Sequence, residues 1–361
     1  MAKTKKNLLE IDINIGGISL ASKAVFAKNL AVMLQSGLTI VDSLAITEDS
    51  ATGRMKKVIR GVRRAVESGH SLSDAFARYP KVFTGMFVSA TYAGEKSGTL
   101  EENLNNAASQ LEKERELISK VKGAMLYPMV VLSAAFFLGL AVAFLVLPKI
   151  TPLFEGLNVE LPATTRALIW FSHLVQDYGL YLFVGVVAVV VLVVWSLRQK
   201  FSHPLTHWVL LHTPIIRKVS RNASLTRFCL TLGTLLKSGL NIDEALEITG
   251  KTATNYYYIK AFRQVYSSIG KGSNLSTNLE RFPNLFPLMV VRMVRVGEES
   301  GELEKSLLYL ADYYQLEVDN ATKSLSTAIE PILLIFIGLA VAFLALSIIT
   351  PIYNITGNIS R

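Results

Sequence analysis

The sequence predicts an all-α membrane protein: two homologous cytoplasmic antiparallel six-helix bundles plus three transmembrane helices. Two observations carry this prediction. The first is an internal duplication. Residues 139–152 read GLAVAFLVLPKITP and residues 338–351 read GLAVAFLALSIITP, with 11 of 14 positions identical at a spacing of 199. Upstream, residues 26–38 (FAKNLAVMLQSGL) match 228–240 (FCLTLGTLLKSGL), and 94–100 (GEKSGTL) match 297–303 (GEESGEL). The spacing drifts only between 199 and 203, so each copy spans about 125 residues, a duplicated domain rather than a solenoid array. The second observation is three uncharged apolar runs, 129–147, 180–197 and 332–349. Each is long enough to cross a bilayer, which takes about 17–25 residues.

Charge sets the expected orientation. Of 37 Lys and Arg, 18 lie in residues 1–126 and 16 in 197–328. Basic residues flanking spans stay on the cytoplasmic side. Both large polar regions and the N-terminus are therefore expected in the cytoplasm, with the 150–179 loop and the 351–361 tail outside. The net charge of +9 fits anchoring beside anionic headgroups better than nucleic-acid binding. The single Cys229 excludes an intramolecular disulfide framework. The basic start of the chain lacks a following apolar stretch, so no cleaved signal peptide is expected.

In order, residues 1–20 form an N-terminal arm in which Ile11, Ile13 and Ile15 alternate with polar residues, a pattern for a small strand or an extended arm. Domain one is expected over 21–126. Phe26, Leu30, Met33 and Leu34 make one apolar helix face, Gly37 ends that helix, and Thr39 with Asp42 opens the next. Domain two, within 198–328, repeats this with Phe228, Leu232, Leu235 and Leu236, the stop at Gly239, and Asn241 with Glu244. Tyr79-Pro80 and Phe282-Pro283 break a helix in each copy. At Gly94-Glu95-Lys96-Ser97-Gly98 one helix ends and the next begins, and Gly297-Glu298-Glu299-Ser300-Gly301 repeats the corner. The last helix of each domain enters a span at Tyr127-Pro128 or Glu330-Pro331, giving spans at 127–149 and 329–350, with a third at 180–197.

The paired glycines of the corners do not make a nucleotide site. A Walker loop requires Gly-x4-Gly-Lys-Ser/Thr after a strand, whereas these corners read Gly-x3-Gly with no following Lys. Two readings of Gly94, Glu95, Ser97, Gly98, Gly297, Glu298, Ser300 and Gly301 remain: a structural helix–helix turn, or a partner-docking turn that repeats an acid. His203, His207 and His212 lack a nearby Cys or carboxylate, so an interfacial helix is a better reading than a metal site. No catalytic constellation can be assembled, and no metal or cofactor is expected; the chain reads as a non-enzyme. The apolar runs 129–147, 180–197 and 332–349 hold no charged residue, unlike a transporter's substrate path.

With these motifs in view the chain resembles the GspF/PilC family, the inner-membrane platform proteins of type II secretion systems and type IV pilus machines. The resemblance rests on the duplication, on Gln35-Ser36-Gly37-Leu38, both corners, Tyr127-Pro128, Leu161-Pro162-Ala163-Thr164-Thr165, Ser238-Gly239-Leu240 and Glu330-Pro331. It implies a protein that hydrolyses nothing itself. Its implied partners are a hexameric secretion or pilus ATPase, pilin or pseudopilin subunits, other inner-membrane assembly proteins, the lipid membrane and further copies of itself. The competing class is a membrane sensor or transporter-associated protein with helical cytoplasmic domains.

Overall fold

The computed structural model describes residues 17–146, 148–149, 151–152, 163–199, 206, 208 and 213–359. Every regular element among them is a helix. The strand or arm expected around Ile11, Ile13 and Ile15 and the histidines His203, His207 and His212 lie outside the described residues. The chain divides into two compact units, Met1–Ser119 with Ser220–Val318, and Lys120–Val219 with Asp319–Arg361.

The first unit holds both helical domains. Domain one comprises α1 (Leu20–Gln35), α2 (Ile40–Ser50), α3 (Gly53–Glu67), α4 (Leu72–Ala77), α5 (Gly85–Ser97) and the start of α6 (Leu100–Ala141). Its core gathers Phe26, Phe76, Phe83 and Phe87, with Phe76 and Phe83 centroids 4.4 Å apart. Burying each such ring contributes about 1.5–3 kcal/mol. At the end of α1 the Leu38 amide bonds to Met33 O (3.1 Å) and the Gly37 amide to Leu34 O (2.9 Å). This paired closure requires a left-handed residue, and Gly37 has φ 85°. Thr39 then caps α2, its Oγ1 accepting from the Asp42 amide at 3.1 Å.

Domain two comprises α8 (Pro214–Lys237), α9 (Ile242–Thr252), α10 (Tyr256–Ile269), α11 (Leu275–Glu280), α12 (Leu288–Ser300) and the start of α13 (Leu303–Ile359); α7 lies in the second unit. Phe228, Tyr258, Phe262 and Phe286 fill its core. Gly239 (φ 88°) reproduces the Gly37 closure. One detail departs from the sequence reading: Asn241 sits at the cap position of α9 in extended backbone, but its side chain makes no capping bond. Glu244 lies in the first turn, where a carboxylate complements the helix dipole.

The second unit holds the apolar runs. Helix α6 carries Pro128 inside it and continues as a π-helical turn over Val142–Val146. Pro331 likewise lies inside α13. Both helices are long and apolar enough to cross a membrane, and side chains such as Phe137 and Phe336 stand exposed along them, as lipid-facing residues do.

The third run differs from expectation. Residues 163–179, read as part of a loop, are already helical, because α7 extends over Ala163–Arg198. Its axis turns by 82° between Thr165–Gly179 and Tyr181–Val189, so the pair counts as one broken span or a re-entrant segment. The turn follows Gly179, against which the Phe144 ring packs so closely that an added Cβ would lie 2.7 Å from it. Buried hydroxyls tie this helix to its neighbours: Thr165 Oγ1 donates to Ser347 O, and Thr151 Oγ1 to Ser172 Oγ, both at 2.9 Å.

The two long helices run alongside each other with a slip. Within the first unit Lys113 pairs with Asp312 (2.5 Å) and Gln315 with Glu116 (3.2 Å). Within the second, Lys120 pairs with Asp319 (2.6 Å). Each of these three rungs joins positions 199 apart, yet equivalent positions in the domains, such as Gly94 and Gly297 or Pro128 and Pro331, are 203 apart. The helices are thus displaced by four residues, about one turn or 6 Å, relative to their repeat equivalence.

Candidate functional site

Each corner motif is a small machine of backbone contacts. Gly94 lies where α5 crosses the start of α6: a Cβ there would meet Leu100 Cα at 2.8 Å, and one on Gly297 would meet Leu303 Cα at 2.9 Å. Gly98 (φ 73°) and Gly301 (φ 72°) end α5 and α12 in the left-handed region. Ser97 Oγ donates to Ala93 O at 2.8 Å, and Ser300 Oγ reaches Gly297 O at 3.5 Å.

The acids turn inward rather than toward solvent. Glu95 accepts from the Leu72 amide (2.5 Å), the Ser73 amide (3.3 Å) and Ser73 Oγ (2.5 Å), at the N-terminus of α4. Glu298 accepts from the Leu275 and Ser276 amides (2.5 and 2.9 Å) at the start of α11. A carboxylate at a helix N-terminus satisfies orphan amides and complements the dipole. In both copies, therefore, Glu95 and Glu298 stitch a short helix to the corner. The sequence carried a sign of this, since the Gly-x-x-Leu pairs at 69–72 and 272–275 lie 23 residues upstream of each acid.

Between the two domains, inside the first unit, lies an interface of mixed polar and apolar residues around a cavity of about 560 Å³. Gln110 Nε2 donates to Thr231 Oγ1 (3.0 Å), Asn103 Nδ2 to Ser238 O (3.4 Å), and Lys237 Nζ to Asn106 Oδ1 (3.1 Å). Arg227 donates to Thr254 Oγ1 at 2.9 Å and stands 3.8 Å from Glu114. Gln110 Oε1 and Arg227 Nε are buried without a hydrogen-bond partner. Burial pushes the nearby Lys23 ammonium below its usual pKa, partly offset by Glu114. These groups position no nucleophile against a base; they make a hydrogen-bonded joint between domains.

The same two blocks that build this geometry are what a family comparison finds. The sequence model of the family described as type II secretion system (T2SS), protein F matches residues 26–148 and again 228–351. The chain belongs to the type II secretion system protein F family. Relatives in the family align over nearly its whole length. A Myxococcus xanthus protein named type IV pilus assembly protein PilC is 37% identical over 98% of this chain and 86% of its own length. A Thermus thermophilus protein of the same name is 37% identical over 95% of this chain and 85% of its own. An Aeromonas hydrophila type II secretion system protein F is 32% identical over 95% and 89%. The two family matches end at Pro148 and Pro351, each just past an apolar run, so the duplicated unit is domain plus apolar run.

Proposed function

We propose that the chain is an inner-membrane platform protein of a type IV pilus or type II secretion machine. It couples a cytoplasmic hexameric ATPase to the assembly of pilin or pseudopilin subunits and performs no chemistry itself. The observation that carries this reading is the near-complete alignment with relatives bearing both names. The side-chain hydrogen bonds across the joint between the domains support a mechanical role, because contacts between domains of one chain resemble transient interfaces more than a core. The distribution of Lys and Arg supports an orientation with the N-terminus and both helical domains in the cytoplasm.

The ATPase-facing surface includes the outer edge of each corner, where Lys96, Ser97, Glu299 and Ser300 are exposed while Glu95 and Glu298 hold the turn from within. The test is crosslinking from native membranes with Lys96→Cys and Glu299→Cys. The native Cys229 is buried, and burial raises its thiol pKa, so it stays silent. Capture of a hexameric ATPase or a pilin-like subunit is expected. Capture of solute carriers or receptor proteins alone, from abundant folded protein, would move the chain to the transporter-associated or sensor class.

A further inference from the structure

Apart from the α6–α13 rungs, the joint between the domains is one-sided. Domain one contributes α5 and α6, through residues such as Met86 and Gln110; domain two contributes α8 and α9, through Thr231, Ser238 and Ile248. Because the domains are repeats, each also carries the other's half of the joint. Domain two presents an α12/α13 face equivalent to α5/α6, and domain one an α1/α2 face equivalent to α8/α9.

Burial separates used faces from unused ones at matched positions. Leu240 is 8% exposed, but its equivalent Leu38 is 38% exposed. Ile248 is 8% exposed against 43% for Ile46, and Thr234 is 4% against 48% for Val32. On the other side, Met86 is 2% exposed and Met289 is 36%. The unused equivalent of the α6 residue Asn106, which accepts from Lys237 of α8, is Tyr309, exposed and more apolar than the residue it matches. Exposed Arg292 lies on the α12 face near Met289, and exposed Asp49, 3.7 Å from Lys56 of its own chain, on the α2 face near Ile46.

We infer that the α12/α13 face of one chain docks on the α1/α2 face of a second copy, repeating between chains the joint that already exists within one. Single exposed apolar residues are ordinary on a surface. Here they fall on two faces whose repeat equivalents form a joint inside the chain, and that continuity identifies the occupant as another copy. The contact is heterologous, so each added copy presents the same two faces again, and geometry decides where the assembly closes. This inference stands apart from the proposed machine.

The test co-expresses two differently tagged full-length chains, one with Leu288→Cys and one with Ile46→Cys, and oxidises isolated membranes. A disulfide-linked species carrying both tags is expected, about tenfold above the pairing of Leu288→Cys with Lys57→Cys on exposed α3. A mixed pair no better than that control would overturn the inference. So would each variant linking to its own kind as strongly as to the other. As a second readout, Leu288→Glu and Ile46→Glu each place a charge in the contact and should weaken self-association about tenfold or more, lowering particle mass in detergent with helicity unchanged. An unchanged particle mass for both well-folded variants would refute it.

Discussion

Lys113 and Asp312 stand 199 residues apart in the chain, and their side chains meet at 2.5 Å between α6 and α13. Both are partly exposed, so the pair sets register more than it adds stability. Reversing either charge should weaken the joint, and the swap Lys113→Asp with Asp312→Lys should recover it. The expected coupling is about 0.2–1 kcal/mol. A double-mutant cycle in detergent unfolding would measure it, and the coupling should shrink at high salt. A cycle with no coupling at low salt would leave the slip of the two helices to packing alone.

Loss of a corner carboxylate should loosen a helix far from it in sequence. Glu95→Ala removes the acceptor for the Leu72 and Ser73 amides, and Glu298→Ala does the same at Leu275 and Ser276. Each should cost about 1–2 kcal/mol, the scale of a lost helix cap. Amide hydrogen exchange should accelerate at the start of α4 or α11, while α1 stays protected. Unchanged exchange there would show that the bonds carry no stability.

Two alanine substitutions at glycines should have opposite signs. Gly94→Ala drives a methyl against the Leu100 backbone and should destabilise by about 1–3 kcal/mol. Gly123→Ala meets nothing within 4 Å inside helical α6. It should stabilise by about 0.5–1 kcal/mol. Thermal unfolding of the two variants side by side checks the contrast, which would fail if both moved in the same direction.

Acid should expose a weakness in domain one. Glu48 is buried in α2 and accepts from Arg60 Nε (2.7 Å) and Arg63 Nε (2.9 Å). The Arg60 bond is the largest influence holding its carboxyl below the ordinary value of 4.5; burial opposes it and Arg63 adds to it. A folded pKa below the unfolded one stabilises the fold above about 4.5 and is lost as pH falls through the lower value. The stability gap between the native chain and Glu48→Gln should therefore be full near neutrality and close on acidification. Domain two has Gly250 at the matching position, so this carboxylate–arginine cluster has no counterpart there. A gap that widened on acidification would reverse the assignment.

Much of this fold was legible because its signals are local. Gly37 and Gly239 announce their turns through a glycine after an apolar helix face, and the 129–147 and 332–349 runs announce themselves by length and lack of charge. The duplication was legible because two copies of a rare string cannot arise from helix periodicity. What escaped was non-local. Glu95 looks like an exposed acid until the fold brings the start of α4 beneath it. The helix from Ala163 to Gly179 was read as loop because its polar residues, Thr165, Ser172 and Asp177, interrupt the apolar pattern that marked the run after it. Burial of Ile248 but not Ile46 belongs to the joint, and no window of sequence around either residue contains it.

The slip between α6 and α13 has a counterpart in chain length. From Pro128 to Gly139 is eleven residues, but from Pro331 to Gly338 is only seven. Those four missing residues match the four-residue slip. From the Lys120–Asp319 rung, the Gly-Leu-Ala-Val-Ala-Phe-Leu segments begin after the same nineteen residues on each helix. Length and docking are therefore matched within this chain. An insertion that evened the two stretches would throw the Gly-Leu-Ala-Val-Ala-Phe-Leu segments one turn out of step unless the rungs also shifted by one turn.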